Sequence, residues 1–158
     1  MNETIRNGAL AVEIAPKGAE IQSIRDGDGT EYIWQGDPAY WPDRAVNLFP
    51  YVGRLTQGRY TYRGCAYPMG IHGFLKDSGM AVVLRTRDSV AFELCDSADT
   101  RRAYPFAFAL RVEYALCGER LNIVFRVQNR GAETMHFGLG GHPGFRVPLE
   151  PGRAFSDH

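Results

Sequence analysis

The most regular pattern in this sequence is an alternation of apolar and other residues. Phe106, Phe108, Leu110, Val112 and Tyr114 are each separated by one residue, and after Gly118-Glu119 the alternation resumes at Leu121, Ile123, Phe125 and Val127. A period of two places every second side chain on one face of an extended chain. These two runs therefore predict a central antiparallel hairpin with one apolar face. Shorter runs repeat the theme. Leu10, Val12 and Ile14 mark a half-buried strand that turns at Pro16-Lys17-Gly18 and pairs with residues 19–24. Tyr32-Ile33-Trp34 reads as a further short strand after the turn Asp26-Gly27-Asp28-Gly29. Tyr60 and Tyr62 return through Arg63-Gly64 to Cys65-Ala66-Tyr67, and residues 80–86 and 90–95 form another hairpin around Asp88-Ser89.

Elsewhere the pattern lapses. Residues 37–41 read as one helical turn, with Asp37 as the cap and Pro38 at the first position. Residues 43–56 and 71–78 fit no period and read as irregular loops, and residues 97–105 as a polar connection. A long irregular loop in a compact domain is often functional. Residues 134–139 predict one more strand, leading into Gly140-Gly141-His142-Pro143-Gly144-Phe145. No segment keeps a helical period over three turns. The expected fold is all-β and antiparallel, built of many short strands, with residues 1–158 as a single domain.

Composition narrows the function classes. With 18 basic and 18 acidic residues the formal net charge is zero, and no run of Lys or Arg marks a nucleic-acid or membrane surface. No apolar run approaches membrane-spanning length. Cys65, Cys95 and Cys117 are odd in number and widely spaced, so reduced thiols in a cytoplasmic protein are expected, each as a small buried hydrophobe.

The candidate chemistry lies in the irregular stretches. Of four histidines, His72 and His142 each stand beside glycine and near phenylalanine, in Ile71-His72-Gly73-Phe74 and Gly141-His142-Pro143-Gly144-Phe145. Pro143 biases His142 towards an extended conformation. His136 falls in the predicted strand at 134–139, where a structural role is expected, and His158 is the last residue. A metal site is not expected, since there is no His-x-His, Glu-x-x-His or Cys pair. A Gly-x-Ser-x-Gly elbow and a Walker loop are likewise missing. General acid–base work by the two histidines remains, with Arg54 able to fork two hydrogen bonds to a diol or anion. A surface arginine and a satisfied core histidine are the plain alternatives for these residues.

Three motifs in order resemble the aldose 1-epimerase (galactose mutarotase-like) family, and its bacterial LacX-like branch in particular. They are Leu48-Phe49-Pro50-Tyr51-Val52-Gly53-Arg54-Leu55, Ile71-His72-Gly73-Phe74 and Gly141-His142-Pro143-Gly144-Phe145. Gly18-Ala19-Glu20-Ile21 fits as well, so the resemblance covers nearly the whole chain. It implies an antiparallel β-sandwich of the supersandwich type that interconverts α and β anomers of a hexose, free or phosphorylated, with no cofactor. By motif, His142 would be the acid at the ring oxygen, His72 would assist it, and Arg54 would bind sugar hydroxyls. The family's base is a glutamate on a late strand, and no glutamate here matches that motif. Glu150 stands in the wrong context, and Phe155-Ser156-Asp157 reads as the start of a further strand. The expectation is an N-terminal portion of the fold, impaired alone. A non-catalytic carbohydrate-binding module, or an interaction protein forming a homodimer through open sheet edges, are the alternatives.

Overall fold

The computed structural model describes residues 1–150 and 152–157. In chain order the strands are β1 (Glu3–Arg6), β2 (Leu10–Ala15), β3 (Glu20–Asp26), β4 (Ala45–Leu48), β5 (Arg59–Tyr62), β6 (Cys65–Pro68), β7 (Ala81–Arg85), β8 (Ser89–Cys95), β9 (Phe108–Cys117), β10 (Arg120–Asn129) and β11 (Gly140–Pro143). A short helix, α1 (Ala98–Ala103), joins β8 to β9. The strands form a three-stranded sheet β1-β2-β3, a four-stranded sheet β10-β9-β8-β7, and the pairs β11-β4 and β5-β6. All ladders are antiparallel. The all-β expectation is met.

The alternation in β9 and β10 has the predicted consequence. Phe108, Leu110, Val112 and Tyr114 are buried, and Leu121, Ile123, Phe125 and Val127 pair with Leu116, Tyr114, Val112 and Leu110 on the same face. On the opposite face Arg111 pairs with Glu93 at 3.1 Å and Arg126 with Glu113 at 2.8 Å. Ile5, Val12, Ile14 and Ile21 of the first sheet join Phe92, Phe108, Val112 and Tyr114 of the second in one buried cluster. The outer strands are poorly covered: every residue of β7 is exposed, and Ile123 of β10 is 42% exposed.

β4 was not anticipated, because all four of its residues are buried. A strand covered on both faces has no alternation to read. Its Asn47 side chain donates to the carbonyls of Gly18 and Ala19 and to the Tyr114 hydroxyl, at 2.9–3.0 Å. Tyr114 in turn donates to the Ala19 carbonyl at 2.6 Å. This buried knot ties β4 to the β2–β3 connection and to β9.

Several expectations need correction. β1 was not foreseen. Tyr32-Ile33-Trp34 is not a strand but makes one isolated bridge among the described residues, from Ile33 to Phe145. Residues 134–139 are not a strand; the strand begins at Gly140, where pairing with β4 starts. Residues 97–105 are not a plain connection, because Ser97 and Thr100 form a reciprocal capping box that starts α1. Phe155–Asp157 is a 3-10 turn rather than the start of a strand. All three cysteines are free and exposed, not buried. Cys65 and Cys117 flank tight hairpin turns and Cys95 ends β8, so none reaches the core. The turn at 37–41 is as expected: Asp37 Oδ1 accepts from the Ala39 amide at 2.9 Å.

Candidate functional site

β4 is also the floor on which the two histidine motifs meet. On one side it pairs with β11, so that His142 lies opposite Val46 and Gly141 opposite Asn47. The amides of Gly138 and Gly144 extend this ladder, each donating at 2.7 Å, to the carbonyls of Pro50 and Arg44. On the other side the His72 loop docks where β4 ends. The amides of Phe74 and Leu75 both donate to the Phe49 carbonyl, at 3.0 and 3.1 Å. This docking requires Gly73. Its φ is +79°, and a Cβ there would lie 2.1 Å from the Phe49 carbonyl oxygen. The His-Gly-Phe spacing thus has a mechanical cause: only a residue without a side chain lets the loop seat on the backbone below.

The result brings His72 and His142 together, with ring centroids 5.5 Å apart. They are held differently. His72 sits at φ +66°, half-buried, and is clamped to one residue twice. Its amide donates to the Gly53 carbonyl at 2.8 Å, and the Gly53 amide donates to His72 Nδ1 at 3.1 Å. An Nδ1 that accepts a hydrogen bond carries no proton, so the neutral ring has its proton on Nε2. Burial pushes His72 below its ordinary value; His142, Lys76 and Arg54 act in the same direction, and Asp43 opposes them. His142 is exposed, and its ring lies against Trp41, centroids 5.1 Å apart.

Arg54 follows Gly53 directly and is exposed, with its charge felt at His72. His136 is elsewhere. It lines a cavity of about 570 Å³ walled by Tyr60, Tyr62, Tyr104, Phe106 and Phe137, which contains neither His72 nor His142. The three tyrosine hydroxyls donate away to Ala103, Glu133 and His136, so the rings present apolar faces to that cavity. His158 lies outside the described residues. Among the described residues no group of three His, Cys, Asp or Glu side chains could hold a metal ion. No helix of these residues is long and apolar enough to cross a membrane.

Sequence reading missed Trp41, Asp43 and Lys76. Lys76 Nζ is 3.9 Å from Asp43 and 3.4 Å from Asp77, so alternating charge lies within reach of His72. The capped turn before Trp41 fixes its backbone, but no signal in the sequence places its ring against His142.

The chain is similar to known proteins over nearly its whole length. The aldose 1-epimerase family model matches residues 2–157. The plasmid form of protein LacX from Lactococcus lactis subsp. lactis is 35% identical over 164 residues, covering 100% of this chain and 55% of LacX. Among solved structures, a galactose mutarotase related enzyme from Lactobacillus acidophilus is 43% identical with a TM-score of 0.95, covering 98% of this chain and 52% of that chain. A galactose mutarotase-like protein from Lactobacillus casei is 36% identical with a TM-score of 0.91, covering 96% and 52%. The chain spans about half the length of these relatives.

Proposed function

This chain belongs to the aldose 1-epimerase family, and we propose that the surface over β4 where His72 and His142 meet is a hexose site for interconverting α and β anomers by acid–base ring opening. The observation that carries this reading is the convergence of His72 and His142, 70 residues apart in sequence, at 5.5 Å between rings. His142, reachable from solvent, protonates the sugar ring oxygen as the C1–O5 bond breaks. A base takes the proton of the anomeric hydroxyl, giving the open aldehyde. Rotation about C1–C2 and reversal of the steps returns either anomer. His72, with Nδ1 occupied by the Gly53 amide, offers its Nε2–H as a fixed donor near the ring oxygen. Arg54 binds sugar hydroxyls.

By the family resemblance the base is a later glutamate with no motif counterpart in this sequence, so this chain alone is impaired. The three free thiols fit a reducing, cytoplasmic setting. The test is polarimetric mutarotation of α-glucose and α-galactose by this chain and by a chimaera that adds the remaining length of the Lactobacillus acidophilus relative. Acceleration by the chimaera, reduced about a hundredfold or more in His142→Ala, is expected for a lost general acid. A chimaera that works equally well with His142→Ala overturns the assignment, and full activity of the chain alone overturns the missing-base part.

Two other readings have their own support. The tyrosine and phenylalanine faces of the second cavity favour a carbohydrate-binding module. Sugar affinity that survives His142→Ala, with no turnover by the chimaera, would establish it. The exposed β7 and β10 edges favour a homodimer, which sedimentation across a concentration series would detect.

A further inference from the structure

The column of rings over β4 has a third member that the proposed reaction does not use. The Trp41 ring lies against His142, whose ring in turn lies against His72. Trp41 is held in place from three directions. Its amide donates at 2.9 Å to the Asp37 carbonyl, which closes the capped turn. Its carbonyl accepts at 2.8 Å from the indole N–H of Trp34. Its ring is wedged on Gly144, where a Cβ would stand 2.7 Å from Trp41 Cζ3 and 3.1 Å from Trp34 Cβ. Gly144 itself is fixed by the Arg44 carbonyl at 2.7 Å and the Trp34 amide at 2.9 Å.

His142 has no comparable restraint of its own. It is exposed, and among the described residues no side-chain hydrogen bond holds its ring, whereas His72 is clamped to Gly53. Its backbone is fixed by the β11–β4 ladder, but a ladder does not set the rotation of a side chain. The contact with Trp41 does: the two rings are tilted 47° to one another with centroids 5.1 Å apart, and an imidazole wedged against a fixed indole keeps one plane, so that its two nitrogens point along fixed directions.

We propose that Trp41 is a positioning residue: the turn at 37–41 and the Gly144 notch hold its ring so that it sets the orientation of the His142 imidazole beside His72. This deepens the hexose-site reading and rests on it for any catalytic meaning. Gly144 is then explained too, since any side chain there would displace Trp41.

The test needs no turnover, so it can fail or succeed independently of the mutarotation assay. Ring-proton resonances of His142 and His72 are assigned by NMR in the unaltered chain, Trp41→Phe and Trp41→Leu. In the unaltered chain the His142 ring protons are expected upfield, with a cross-relaxation peak to the His72 ring. Trp41→Phe keeps both signatures, because an aromatic ring remains against the imidazole. Trp41→Leu keeps the backbone amide spectrum of the sheets but loses the upfield displacement and the cross-peak. The proposal is overturned if Trp41→Leu retains the cross-peak. It is also overturned if the unaltered chain shows no upfield displacement, an outcome that stands even should a variant fail to fold.

Discussion

In the four-stranded sheet, β9 is held by what its side chains bury. Phe108, Leu110, Val112 and Tyr114 fill a shared core, and the backbone needs only the regular ladder. Around β4 the contact is between backbones. Gly73 and Gly144 let neighbouring segments come within hydrogen-bond reach of the main chain at Phe49 and Arg44. The first region tolerates a change in proportion to the volume it removes. The second tolerates removal better than addition, because the space an added carbon would take already belongs to a carbonyl at Gly73 and to the Trp41 ring at Gly144.

The largest effect expected from this difference is at Gly73. Gly73→Ala puts a carbon into the Phe49 carbonyl, so the chain should lose at least about 4 kcal/mol or fail to fold, as measured by urea unfolding. Gly118→Ala is the control. Its φ of +58° is also left-handed, but nothing lies within 4 Å of the added carbon. It should cost only about 1 kcal/mol. Equal losses would mean that backbone angle alone, and not the close approach, makes Gly73 irreplaceable.

In the sheet the comparison runs through burial. Phe108→Ala should cost about 3–5 kcal/mol, since its cavity cannot collapse. Ile123→Ala, 42% exposed on the neighbouring strand, should cost about 1 kcal/mol. An Ile123 loss as large as that of Phe108 would show that β10 is covered in solution, by a second copy or another partner.

The smallest effect is a pH dependence. His72 has a folded value below its ordinary 6.5, so the unfolded chain binds the proton more readily. Stability is therefore level above about 6.5, falls as pH drops through that value, and levels again below the folded value. His72→Asn, a residue that accepts a left-handed backbone, should abolish that slope in unfolding midpoints taken across pH. His142→Asn should raise the His72 titration midpoint seen by NMR, since the nearby imidazole is one of the causes that lower it.

What could be read from the sequence divides along the same line. The β9–β10 hairpin was legible because one face is buried and the other carries Arg111, Glu113 and Arg126. β4 was illegible because Ala45, Val46, Asn47 and Leu48 are buried alike, and a polar Asn47 in the middle breaks the apolar run. The histidines and Arg54 were found from their motifs and not from any period. Trp41 was missed because its part depends on Gly144, which is 103 positions away in the chain and adjacent only after folding. The cysteines were misplaced for a simpler reason. Their usual burial is a tendency of the residue type, and a place at a strand end overrides it.

The bond from the Gly53 amide into the His72 ring gives one main-chain proton a side chain's charge to answer to. While the ring is neutral, its Nδ1 lone pair shields that amide. Once the ring takes up a proton, the lone pair is gone and the amide must find water. Deuterium uptake at Gly53 thus becomes a count of how often His72 is neutral. It can be followed in any variant, with or without a sugar present, and without observing the imidazole at all.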